Sequence, residues 1–179
     1  IPTLGAHNVL NALFAYAAGT RLGVEPQVAA KALEKFEPSG QRQKVVEFNG
    51  ITVIEDCYNA GPESMRAAIE MMADIKKAGH KSFAVLGDMF ELAGLSRSAH
   101  EAVAQQAAQS GVDLILTNGE QAKIICERAN ELREGAAEHF EDRRELVARL
   151  RQLADIGDTI LFKASHGMRF EEIVFDFYE

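Results

Sequence analysis

The sequence predicts an α/β domain built on a mostly parallel sheet with one antiparallel edge strand. Three observations predict it. From Gln43 onward, short strand-like runs alternate with amphipathic helical stretches. VLGD, LILTN and ILFKAS are almost continuously apolar, as strands covered on both faces should be. Asn49-Gly50 separates the first two strand-like runs, the strongest short hairpin signal, so the first strand lies antiparallel to the second.

In chain order, residues 8 to 36 read as two helices. In NVLNALFAYAAGTRLG the apolar positions Leu10, Leu13, Phe14 and Ala17 recur with a helical period, and Gly19 or Gly23 can end the run. PQVAAKALEKF follows, with Pro26 suited to a first helical position. EPSGQRQ is a turn-rich bridge and marks a boundary. KVVEFNGITVIEDC is a strand, a tight turn and a strand. Gly-Pro-Glu then opens a helix. SMRAAIEMMADIKKAG sets Met65, Ala68, Ile69, Met72 and Ile75 on one stripe, and Met71 also reads as core. KSFAVLGDM is an apolar strand, SAHEAVAQQAAQSG a helix stopped by Gly111, DLILTN a strand and EQAKIICERANEL a helix. AEHFE is a short strand, DRRELVARLRQLADIG a helix, DTILFKAS a strand and MRFEEIVFDFY the last helix.

The bulk numbers narrow the function classes. With 19 basic and 27 acidic residues the net charge is −8, which argues against non-specific nucleic-acid binding. Cys57 and Cys126 are far apart, with no CxxC and no Cys-His spacing, so neither a disulfide framework nor a structural zinc site has support. Two lone thiols fit a reducing cytoplasm. No apolar run approaches the roughly 20 residues of a membrane span, and no signal peptide is visible. The chain begins at IPTLGAHNVL without an initiator Met and reads as a piece of a longer protein.

In open α/β sheets ligands sit beyond the carboxyl ends of the strands. Three predicted strands end there in polar clusters: Asp56-Cys57-Tyr58-Asn59, Gly87-Asp88-Met89 and Lys163-Ala164-Ser165-His166-Gly167. The helix opening at Pro62 points free N–H groups the same way, a natural place for an anion. Plainer readings stand beside these. Asp56 and Asn59 can cap the next helix, Gly87-Asp88 can be an ordinary turn, and Lys163 a surface lysine. His100 reads as a cap or packing residue before a catalyst, and Cys57 as a small buried filler. GxxxxGK[ST] and GxGxxG are both absent, so the chain carries no phosphate cradle of its own.

GAHNVLNA, SGQR, EDCYNAGPESM, VLGDMFEL and LFKASHGM, in this order and at these distances, resemble the Mur ligases. These ATP-dependent enzymes build the peptide stem of bacterial cell-wall precursors, and the resemblance spans essentially all 179 residues. It implies a short helical tail of the central ATP-binding domain (residues 1–36), then a Rossmann-like C-terminal domain (residues 37–179). It also implies that the UDP-sugar domain, the P-loop, the ligands of Mg2+ and a modified lysine lie outside this chain. The pattern DxYNAxPxSM followed by VLGDMxEL points to the branch that joins D-alanyl-D-alanine to UDP-N-acetylmuramoyl tripeptide. By resemblance, Asn8 and Asn11 lie by the adenine, with His7 in the same motif; Arg42 meets the ATP phosphates; and Asp56 accepts from the ribose hydroxyls. Tyr58 and Asn59 would lie near ATP and the incoming substrate, and Lys163 and Ser165 at the acyl-acceptor site. The plainer reading of Asn8 and Asn11 is helix capping and packing. The sequence departs from the family pattern at Ala164 and Ala93, where Gly is usual, at His166, where Arg is usual, and at Gln41, which separates Gly40 from Arg42. A methyl at residue 164 would matter where backbone approaches substrate closely.

No catalytic residue and no metal ligand is expected from this chain, and alone it is expected to be inactive. A hinge is expected near Pro38 to Gly40. The rival reading is a stand-alone receiver-like α/β module, with Asp56 and Asp88 at strand ends and Lys163 after a later strand. A dinucleotide-dependent oxidoreductase fits poorly without the glycine fingerprint.

Overall fold

The structure, a computed structural model, describes residues 1, 6–36 and 43–179. Two helices come first, α1 (Ala6–Arg21) and α2 (Pro26–Glu34), with Pro26 in the first turn as its fixed φ favours. The antiparallel pair β1 (Lys44–Phe48) and β2 (Ile51–Asp56) follows. Asn49 (φ 50°) and Gly50 (φ 79°) both take the left-handed conformation that a two-residue turn of the right twist demands. Then come α3 (Pro62–Ile75), β3 (Ser82–Leu86), α4 (Ser96–Gln109), β4 (Leu114–Thr117) and α5 (Ala122–Leu132). The chain ends with β5 (Ala137–His139), α6 (Arg143–Leu153), β6 (Thr159–Lys163) and α7 (Phe170–Tyr178). Two short 3-10 turns, Ala93–Leu95 and His166–Met168, carry no sequence pattern that announces them.

The six strands run in the order β1-β2-β6-β3-β4-β5, parallel except for β1. This is the mixed sheet that the sequence predicts. Alternate residues of each buried strand face opposite layers, as the pleat requires. Ile54, Ala84, Leu86, Ile115 and Leu161 pack with Met65, Ile69, Met72, Val103 and Ile125 of α3, α4 and α5. Val53, Phe83, Val85, Leu116, Ile160 and Phe162 pack with Leu146, Leu150, Ile173 and Phe177 of α6 and α7.

The strand order decides where a ligand can sit. The chain winds outward from β2 through β3 and β4 to β5 by way of α3, α4 and α5 on one face. It returns through α6 on the other face and inserts β6 between β2 and β3. The helices after β2 and β3 cover one face and the helix after β6 the other, so the crevice opens at the carboxyl end of β6. The register there is level: Asp56 of β2 pairs with Lys163 of β6, and Lys163 with Leu86 of β3. Among the described residues no helix is long and apolar enough to cross a membrane.

Candidate functional site at the carboxyl edge of the sheet

The three polar strand ends do converge on one edge. Their side chains are more deeply tied together than the sequence indicates. Lys163 is 1% exposed, and its Nζ lies 2.6 Å from Asp56 Oδ2 and 2.8 Å from the Asn59 carbonyl oxygen. One ammonium thus joins the end of β2, the end of β6 and the loop before α3. The surface-lysine reading does not hold, because a lone ammonium at that burial would be too costly without these partners. Nor do Asp56 and Asn59 cap α3. Gly61 precedes its first turn, and Ser64 Oγ accepts the Gly61 N–H at 3.0 Å. Tyr58 and Asn59 are exposed on the loop, with the Tyr58 ring 5.5 Å from that of His166.

Asp56 also reaches toward the helical segment. Its Oδ1 accepts from the Gln43 backbone N–H at 3.3 Å, while the Gln43 side-chain oxygen accepts from Asn8 Nδ2 at 2.8 Å. Asn11 Nδ2 lies 3.5 Å from Asn8 Oδ1, so the two amides share one helical face, as their spacing predicts. They border a groove of about 130 Å³ whose other walls include Ala12, Ala15, Leu33 and Phe36. Gln43 is the residue that sequence reasoning missed: it stood in the bridge, and only the fold shows that it links α1 to Asp56. Arg42, the stretch Pro38 to Gly40 and the His7 side chain lie outside the described residues.

Ser165 is 5% exposed and also engaged. Its Oγ accepts from the Phe90 N–H at 2.8 Å and lies 3.5 Å from the Ala60 carbonyl oxygen. Its N–H donates to the Asp88 carbonyl at 3.0 Å. The Asp88 carboxylate accepts from Ala122 N–H at 2.7 Å and so caps α5 from outside the helix. Ala164 is fully buried, and its methyl faces Gly87, where a Cβ would lie 2.7 Å away. The extra methyl is therefore absorbed by the core. Ala93 sits at φ 45°, the left-handed region that glycine tolerates best.

Burial, then the adjoining Asp56 charge, push the Cys57 thiol up to about 12. It stays protonated near neutrality and is no nucleophile. Among the described residues no group of three or more His, Cys, Asp or Glu side chains could hold a metal ion.

The family is settled by comparison with known proteins. A profile described as Mur ligase, glutamate ligase domain, matches residues 41–166. The chain belongs to the Mur ligase family. This Mur ligase chain is 38% identical over 181 aligned residues to the UDP-N-acetylmuramoyl-tripeptide–D-alanyl-D-alanine ligase of Bacillus subtilis, covering 100% of the chain and 39% of that protein. It is 31% identical to the Escherichia coli ligase of the same name, over 97% of the chain and 37% of the relative. In structure it resembles MurF from Acinetobacter baumannii with a TM-score of 0.86 and 28% identity, covering 99% of this chain and 38% of that one. The Mur ligase chain thus spans well under half the length of these relatives. Family membership decides against the receiver-like module and the oxidoreductase.

Proposed function

We propose that the chain is the C-terminal part of an ATP-dependent ligase that joins D-alanyl-D-alanine to UDP-N-acetylmuramoyl tripeptide. The observation that carries this reading is the 38% identity to a ligase of that name along the whole chain. Residues 1–36 are assigned to the central ATP-binding domain and residues 37–179 to the domain that receives the dipeptide. The exposed apolar side chains of α1, among them Leu10, Leu13 and Phe14, support that division.

In the proposed reaction a substrate carboxylate oxygen attacks the γ-phosphorus of ATP, and the bond to the β-phosphate oxygen breaks to release ADP. The dipeptide amine then attacks the acyl phosphate carbon. The tetrahedral intermediate loses phosphate and a proton and leaves the amide. The chain's own part is to position. Asn8 and Asn11, beside a small apolar groove, offer both donors and acceptors to a purine edge. Asp56 keeps a second lone pair on each oxygen for the ribose hydroxyls, and Lys163 holds that carboxylate in place. Tyr58, Asn59 and Ser165 border the acceptor side. Arg42 is assigned to the phosphates by family likeness alone. The described residues supply no set fit for Mg2+, so no step through the metal is assigned to them.

The test uses the full-length protein with ATP, the UDP-linked tripeptide and D-alanyl-D-alanine. ADP and phosphate release should require all three, with the pentapeptide product seen by mass spectrometry. Asp56→Asn should raise the KM for ATP at least about tenfold, because it removes a charge-assisted hydrogen bond and also leaves the buried Lys163 ammonium without its counter-charge. ATP turnover without either co-substrate, or turnover by residues 1–179 alone, would count against the reading.

A further inference from the structure

His100, on the second turn of α4, is fully buried, and the proposed chemistry does not use it. Its Nδ1 lies 2.7 Å from the Ser96 carbonyl oxygen, which can only accept, so Nδ1 carries the proton. Nε2 is left as an acceptor and takes the Met89 N–H at 3.1 Å. Both ring nitrogens are therefore committed in one neutral tautomer.

The residues on either side of Met89 tie into the candidate site. Asp88 accepts from the Ser165 N–H through its carbonyl, and the Phe90 N–H donates to Ser165 Oγ at 2.8 Å. The Phe90 ring, 43% exposed, lies over Gly167, where a Cβ would come within 3.0 Å of it. Just beyond, Glu91 (φ 62°) and Ala93 (φ 45°) hold left-handed conformations that these residues disfavour. A segment with that local cost keeps its shape only where the surroundings over-determine it.

We infer that His100 is a positioning residue for the acceptor side of the site: its acceptor nitrogen pins Met89 and thereby sets Phe90 and Ser165. This rests on the ligase reading. It assigns His100 a share in dipeptide recognition without contact with the dipeptide. The nucleotide side, anchored at Asp56 by Lys163, lies on the far strand of the crevice.

Three substitutions in the full-length protein separate positioning from packing. His100→Leu keeps bulk and removes both polar atoms. His100→Asn can keep the bond to Ser96 but does not reach Met89. His100→Gln carries an amide oxygen about as far as Nε2 and can accept from Met89. Leu and Asn should raise the KM for D-alanyl-D-alanine about tenfold, the order expected when one buried amide loses its acceptor, and leave the KM for ATP within about twofold. Gln should restore most of the loss. By hydrogen exchange, Met89 and Phe90 amides should lose protection in the Leu and Asn variants while Ile115 and Leu116 of β4 keep theirs. Should the Leu variant not fold, the Asn and Gln pair carries the comparison. Equal rises in both KM values, a Gln variant no better than Asn, or unchanged Met89 and Phe90 exchange would each overturn the inference. A wild-type enzyme that makes no product would sink the ligase reading instead, while the exchange data still decide whether His100 anchors the loop.

Discussion

Lys163 shows at the scale of a residue how polar groups at strand ends are held together in the interior. Its ammonium and the Asp56 carboxylate are buried together at 2.6 Å, with the Asn59 carbonyl as a third partner. Lys163→Met leaves a buried carboxylate without its cation and should cost about 3–5 kcal/mol in denaturant unfolding. The double variant Asp56→Leu with Lys163→Met should recover much of that loss, because no lone charge then remains. Cys57 gives a pH prediction. Its thiol is held above the ordinary value of 9.0, at about 12, so the folded state retains a proton that the unfolded chain gives up. That contribution is fully present below the unfolded value and is lost as pH rises from 9.0 toward about 12. At 1.36 kcal/mol per pKa unit the whole interval is on the order of 4 kcal/mol. Cys57→Ala should flatten the alkaline decline in stability, measured as unfolding midpoints across that range. An unchanged slope would show that other groups carry the decline.

At the scale of elements, period and punctuation were legible. The Asn49-Gly50 turn, the opening of α2 at Pro26, the Met stripe of α3 and the buried strands all follow from local pattern. The loop that joins β3 to α4 was not, because its shape depends on partners far along the chain. Gly87 belongs to it. A Cβ there would lie 2.6 Å from the Phe170 ring and 2.7 Å from the Ala164 methyl. Both neighbours are fully buried, so neither can step aside into solvent. Gly87→Ala should therefore destabilise the domain by about 1–3 kcal/mol, as overpacking does. Adding Ala164→Gly should relieve part of that loss, the part due to the methyl, and leave the part due to Phe170. A single variant as stable as wild type in thermal unfolding would refute the contact.

At the scale of the whole molecule, the two parts of the chain are built unequally. The sheet domain buries two apolar layers, whereas Ala29 is the one buried residue of α1 and α2 among the described residues. Short helices with little buried apolar surface open easily. In residues 1–179 alone, amides of α1 and α2 should exchange far faster than those of β3 and β6, and should gain protection in the full-length protein. Equal protection in the isolated chain would argue that the helices form one cooperative unit with the sheet. Asn8, Gln43 and Asp56 form a link between the parts, a line of hydrogen bonds from helix to strand end.

The alternation of strands and helices, the hairpin, the apolar faces and the polar strand ends can be read along the chain, because each follows from short-range periodicity and turn chemistry. The motifs that carry the Mur ligase likeness can be read there too, as a resemblance and not from periodicity. That β6 enters between β2 and β3 emerges only in the folded chain, since no local pattern specifies a strand's neighbours. That insertion brings residues 56 and 163 level, buries their charges together, and turns Asp88, His100 and Ser165 inward as anchors. Hydrogen bonds and ion pairs between residues remote in sequence exist only once the sheet has closed.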